Sequence, residues 1–216
     1  MPYAESVTTA GPGLRERKKQ ATRAHIAAVA TRLFVEQGFE TTTIAQIAER
    51  AEVAKMTVTN YFPLKEDLLF DRAPEIVALL ADAVAARAAG TTPERAVLEV
   101  YLRRLGERWP ALGFIGREFA TTVEASPALR TRERTMMLEQ EDALAAVLVG
   151  EAEPGAEVPA RMEAARLAGI VRVLYFEARR RVLAGEGPEE IVAVLDAEVR
   201  RAVDSAHLPE GPSSGA

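Results

Sequence analysis

Along most of the chain, apolar side chains recur with the period of a helix rather than that of a strand. Ile26, Val29, Ala30, Leu33 and Phe34 fall at i, i+3, i+4, i+7 and i+8, one stripe of an amphipathic helix. Gly38 follows the stripe and stops it. Ile44, Ile47, Ala48 and Ala51 repeat the pattern over a short second helix, with Thr42 or Thr43 available as its cap. A third short helix is predicted from about Lys55 to Phe62 and is closed by Pro63. Further on, the spacing predicts helices over about 65–89 (with a break at Pro74), 93–108, 111–125, 127–150, 158–184 and 188–206. Pro93, Pro110, Pro127 and Pro188 stand where first-turn prolines belong. Alternating Val, Ile and Thr runs joined by turn pairs, the mark of hairpins, are missing. The expectation is an all-α protein of about nine helices.

Composition narrows the chemistry. The chain has 216 residues, is 48% hydrophobic and carries a formal charge of -5, which is ample apolar material for a core. It has no cysteine, which excludes a disulfide scaffold, a thiolate zinc site and a cysteine nucleophile. Two histidines, His25 and His207, are too few for a histidine metal cluster, so no metal and no cofactor are expected. Neither a G-x-S-x-G elbow, a phosphate-binding glycine loop, a dinucleotide fingerprint nor an H-E-x-x-H motif occurs, so the chain does not read as an enzyme. No apolar run is long enough for a membrane span, and the N-terminus has neither a basic nor an apolar signal region. A cytoplasmic protein without a membrane partner is the expectation. Residues 1–13 and 208–216, rich in Gly, Pro, Ser and Thr, read as disordered tails.

Charge divides the remainder. Within residues 14–62, Arg15, Arg17, Lys18, Lys19, Arg23, Arg32, Arg50 and Lys55 outnumber Glu16, Glu36, Glu40, Glu49 and Glu52 by three. Residues 1–13 add one acid, Glu5, so residues 63–216 carry -7 of the overall -5. The whole-chain acidity therefore conceals a basic segment.

Only Glu52, Val53 and Ala54 join the second helix to the third, and a turn that short forces a steep crossing, as in a helix-turn-helix. Val53 plugs the corner. Ile44, Ile47, Ala48, Val58 and Phe62 can pack on Val29, Leu33 and Phe34. One face of the third helix is left outside, with Lys55, Thr57, Thr59 and Asn60, residue types suited to base edges and phosphates.

The stretch TTTIAQIAERAEVAKMTVTNYFPLKEDLL resembles the DNA-binding domain of TetR/AcrR-type transcriptional regulators, through Thr43, Ile47, Ala48, Ala51, Val53, Tyr61, Phe62, Lys65 and Leu68. Upstream, Ala27, Ala30, Leu33, Phe34, Gly38 and Phe39 match that family's first helix. The likeness covers about residues 20–69. It implies that Thr43, Tyr61 and Lys65 hold phosphates and that Thr57 and Thr59 touch the backbone or a thymine methyl. It further implies that Lys55 and Asn60 read bases, and that Arg15, Arg17, Lys18 and Lys19 follow the backbone or enter the minor groove. Glu52 stands where the family has a turn glycine, so the turn must avoid positive φ there or carry strain. Ala54 stands where the family has a serine cap, a loss of roughly 1 kcal/mol.

By the same resemblance, residues 14–70 form the DNA-binding domain and 71–207 an effector-binding and dimerisation domain. Leu167, Ile170, Val171 and Leu174, with Ile191, Val194, Leu195 and Val199, form stripes on two adjacent helices that could pair with a second copy as a four-helix bundle. Tyr101, Trp109, Phe114, Phe119, Met136, Met137 and Tyr175 could line an apolar cavity, which favours a hydrophobic small molecule. The implied function is an effector-released repressor that binds a palindromic operator in double-stranded DNA as a homodimer. Two alternatives stay open: an architectural DNA binder without an effector, and a helical carrier or enzyme with a vestigial DNA-binding domain.

Overall fold

The structure, a computed structural model, describes residues 13–109, 112–113 and 116–205. The tails expected over 1–13 and 208–216, apart from Gly13, lie outside the described residues, as do His207, Pro110 and Phe114. Among the described residues there are nine α-helices and no strand. They are α1 Leu14–Gln37, α2 Ile44–Arg50, α3 Lys55–Tyr61, α4 Ala73–Ala85, α5 Pro93–Gly106, α6 Arg117–Ala125, α7 Pro127–Glu151, α8 Glu157–Ala184 and α9 Pro188–Ser205. The chain divides into two compact units, Met1–Asp71 and Arg72–Ala216.

In the first unit, α1 buries Ile26, Val29, Ala30, Leu33 and Phe34, the predicted stripe. Ile47 and Ala48 of α2, Val58 of α3, and Phe39, Phe62, Leu68, Leu69 and Phe70 from the connections are buried in the same unit, in which α2 packs on α1 and α3 on α2. Thr43 caps α2 in a reciprocal box: its hydroxyl accepts from the Gln46 amide, and the Gln46 side chain accepts from the Thr43 amide at 2.7 Å. Thr42 is instead buried, donating to the Gly38 carbonyl at 2.8 Å.

The turn after α2 takes the strained option. Glu52 has φ 55, and around it the Val53 amide donates to the Ala48 carbonyl (3.0 Å) and the Glu52 amide to the Glu49 carbonyl (3.1 Å). That pair of bonds is a Schellman ending, which requires a left-handed residue at this position. Ala54 precedes α3 without any side-chain cap.

The predicted segment 65–89 resolves into a 3₁₀ turn, Glu66–Leu68, and then α4, with Pro74 in its first turn. The helix expected over 111–125 starts only at Arg117. Gly113 explains part of the delay. It has φ 92, and a Cβ there would lie 2.9 Å from the Tyr175 carbonyl oxygen and 3.1 Å from the Ala178 side chain, so the chain passes flush against α8. Thr92 and Ser126 cap α5 and α7, each followed by proline at the first helical position.

The second unit is a bundle in which α7 packs on α4 and α8, α5 on α4 and α9, α6 on α7 and α8, and α8 on α9. The residues expected to face a second copy fall into two groups. Leu167, Val171, Ile191, Leu195 and Val199 are buried in the core of the single chain. Ile170, Leu174 and Val194 are half-buried. A side chain already spent on its own core offers no area to a second copy. The outward apolar side chains of α8 are Val158, Met162, Val173 and Phe176, of which Val173 is 66% and Phe176 39% exposed.

Replacing Glu52 by glycine removes the left-handed strain at no cost in hydrogen bonds and should stabilise the fold by about 1 kcal/mol. Ala54→Ser should add a similar amount. Thermal unfolding is expected to show each as a rise of roughly 2–4 °C.

Candidate nucleic-acid interface

Helix α3 presents its sides unequally. With about 100° per residue, Lys55, Thr59, Met56 and Asn60 span an arc of about 140°. All four are exposed, while Val58 on the other side is fully buried. Thr57, expected on the outer face, lies beyond the edge of that arc and is half-buried. Met56, which no sequence signal had marked, occupies the face in its stead and is 68% exposed.

Arg15, Arg17, Lys18 and Lys19 are exposed along the first two turns of α1. Arg15, Lys18, Lys19 and Tyr61 share the walls of one open cleft of about 630 Å³, so the start of α1 and the end of α3 meet there. Thr43 is exposed at the start of α2, its hydroxyl engaged in the cap box.

Two cations are committed inward. Arg23, read from the sequence as part of the basic cluster, donates Nη1 to the Tyr61 carbonyl (2.6 Å) and Nη2 to the Asp71 carbonyl (3.3 Å). Its guanidinium lies 4.2 Å from the centre of the Phe62 ring. It therefore satisfies the open end of α3 and stacks on the core aromatic beside it. Lys65, implied by the family likeness to hold a phosphate, donates to the Phe39 carbonyl and sits 4.2 Å over the Phe39 ring. Burial pushes its ammonium below the ordinary lysine value, with Glu40 and Glu66 opposing. Neither role was legible in the sequence, because both partners are backbone carbonyls and rings more than twenty residues away.

The family profile described as bacterial regulatory proteins, tetR family, matches residues 26–71, the segment that holds this helix-turn-helix. Residues 26–71 are thus similar to the DNA-binding segment of the tetR family of bacterial regulatory proteins. It is 37% identical over 99 residues to the HTH-type transcriptional regulator TcmR of Streptomyces glaucescens, covering 46% of this chain and 44% of that protein. It is 44% identical over 66 residues to the HTH-type transcriptional regulator HbdR of Aromatoleum sp. (strain CIB), covering 31% of this chain and 27% of that one. The matches thus span less than half the length of either regulator. The fold is also that of NalD, the secondary repressor of the MexAB-OprM multidrug efflux pump in Pseudomonas aeruginosa. That likeness has a TM-score of 0.51 at 17% identity and covers 86% of this chain and 96% of NalD.

The second unit brings together four of the seven residues expected around a cavity. Trp109, Met136, Met137 and Tyr175 line one small hollow with Ile76 and Leu79. Its volume of about 30 Å³ leaves room for about one water, so a larger guest has to displace side chains, as methionines allow. Tyr101 is not in its walls: it is wholly buried, and its hydroxyl has no hydrogen-bond partner. Phe119, half-buried on α6, is not in the walls either. A wider cleft of about 600 Å³ between α4 and α5 is lined by Arg87, Arg103 and Arg104 opposite Glu75, Asp82 and Glu99.

Beside the hollow runs a buried polar chain that the sequence did not disclose. Arg179 meets both oxygens of Glu133 at 2.7 and 2.6 Å, and its other terminal nitrogen meets Glu124 of α6 at 2.8 Å. The Tyr175 hydroxyl donates to Glu133 at 2.6 Å, and burial, reinforced by the Glu133 charge, pushes that phenol far above its ordinary value. Glu133 and Arg179 are each under 5% exposed. Among the described residues no group of three or more metal-ligating side chains converges, and no helix is long and apolar enough to cross a membrane.

Arg179→Met leaves Glu133 buried without its counter-charge and should cost about 3–5 kcal/mol in urea unfolding. The double change Glu133→Leu with Arg179→Met should lose distinctly less, since no buried charge is left unpaired and Glu124 is half exposed to water.

Proposed function

We propose that the protein is a transcriptional repressor that binds a palindromic operator as a homodimer in the cytoplasm and leaves it when a small effector binds residues 72–207. The observation that carries this reading is the exposed face of α3, flanked by the cleft of Arg15, Lys18, Lys19 and Tyr61, within the family-matched segment. Arg15, Lys18, Lys19, Thr43 and Tyr61 serve as phosphate contacts that fix the helix on the duplex, and Lys55 and Asn60 read base edges, lysine suiting guanine and asparagine adenine. Thr59 lies within the reading face and Thr57 borders it. Lys65 acts mainly by holding the Phe39 loop in place. In a two-fold dimer, the α3 helices reach successive major grooves roughly 34–36 Å apart.

The effector is assigned to the hollow at Trp109, Met136, Met137 and Tyr175, whose walls suit a hydrophobic molecule. Release follows only as far as that molecule favours the state with the wrong spacing. The dimer contact is assigned to the outward side of α8.

Gel shifts on palindromic duplexes should reveal a preferred sequence with a steep salt dependence. Asn60→Ala should relax the preference at one base pair by about 1–3 kcal/mol, and Lys18→Ala should lower affinity on all sequences and cut the salt slope by about one. Binding with equal affinity to every duplex would instead favour an architectural DNA binder.

Sedimentation equilibrium should find the wild-type chain dimeric, and Val173→Asp or Phe176→Asp monomeric, because each puts a charge into the apolar contact. A wild-type monomer at tens of micromolar would refute the dimer.

A further inference from the structure

Among the outward residues of α3, Met56 is the anomaly. Lys55, Thr59 and Asn60 are polar and comfortable in water, whereas Met56 lies between Thr59 and Asn60 on the arc and is 68% exposed. Its position is not left loose. The Thr59 hydroxyl donates to the Met56 carbonyl at 3.1 Å and lies 3.7 Å from the Met56 sulfur. Thr59 is thereby turned onto its own helix, with its hydroxyl spent, and the thioether is steadied beside it.

In the major groove the four bases differ in the donors and acceptors they show, and thymine alone adds an apolar group, its 5-methyl. An unbranched, polarisable thioether is well shaped to cover such a methyl without competing for hydrogen bonds. Lys55 on the same arc, with Arg15, Lys18 and Lys19 exposed on α1 of the same unit, matches a phosphate-lined partner rather than another apolar surface. We infer that Met56 is a specificity-determining residue that packs on the methyl group of one thymine in each half-site. This rests on the DNA-binding function proposed above. It transfers the thymine contact from Thr57, which is half-buried, and from Thr59, whose hydroxyl faces its own helix, to their neighbour.

The test begins with selection of a preferred duplex from a random pool by the full chain. In the selected duplex each thymine is then replaced singly by deoxyuridine, which deletes the methyl and changes nothing else. Affinity is measured for the wild type, Met56→Ala and Met56→Leu. Met56 is exposed, so both variants should keep the wild-type thermal midpoint. One thymine per half-site should show a loss of roughly fourfold on methyl removal, the worth of one covered methyl. The loss should vanish in Met56→Ala and persist in Met56→Leu. A methyl penalty of equal size in the wild type and Met56→Ala, or no penalty at any thymine, overturns the inference while specific DNA binding stands. A pool from which no sequence is enriched overturns the sequence-specific DNA binding proposed above and this contact with it.

Discussion

Two helices of seven residues cannot hold themselves together in water, since a single helix that short does not repay the ordering of its first turn. α2 and α3 persist because the apolar stripe of α1 gives Ile47, Ala48 and Val58 a surface on which to be buried. That dependence sets the geometry of the reading head. Four residues, Ala51 to Ala54, turn the chain between the two helices, and the turn is made with a left-handed backbone at Glu52. The local strain is maintained by the packing on either side of it. Once the turn is fixed, Val58 must point inward, and the outward arc of Lys55, Met56, Thr59 and Asn60 follows.

Inward-facing cations complete the same unit. Arg23 closes the C-terminal end of α3, and Lys65 closes the loop after α1; each stands over an aromatic ring of the core. Basic residues near a nucleic-acid face thus divide into two kinds. Those with free neighbours in solvent are available to phosphates. Those whose hydrogen bonds end on backbone carbonyls hold the surface that the first kind decorates.

In the second unit the comparable constraint is the buried pair Glu133 and Arg179, joined by Tyr175 and Glu124. Three helices, α6, α7 and α8, have to present these groups in one arrangement, because a misplaced member would leave a charge buried and unpaired. A small apolar hollow adjoins the chain at Tyr175. A guest that moved Tyr175 would disturb a bond to Glu133, and through Arg179 the hold on α6. The buried network is thus the part of this unit least able to absorb a small displacement quietly.

Periodicity alone determined the all-α class, the order of the helices and the stripe of α1 that forms the first core, because 3.6-residue spacing is a local property of the chain. The unusual turn was equally legible, since Glu52 and Ala54 stand out against the pattern of the family. What the sequence could not determine was direction. The stripes of α8 and α9 looked suited to a second copy, yet Leu167, Val171, Ile191, Leu195 and Val199 face their own bundle. A stripe records that something will be buried and not by what. Likewise Arg23 and Lys65 read as surface charges until the fold brought Tyr61, Phe62 and Phe39 to them, and nothing along the chain singled out Glu133 or Arg179 before α7 met α8. Those outcomes were left to the tertiary structure, because they depend on which faces of separate helices are opposed, and no spacing along one helix carries that information.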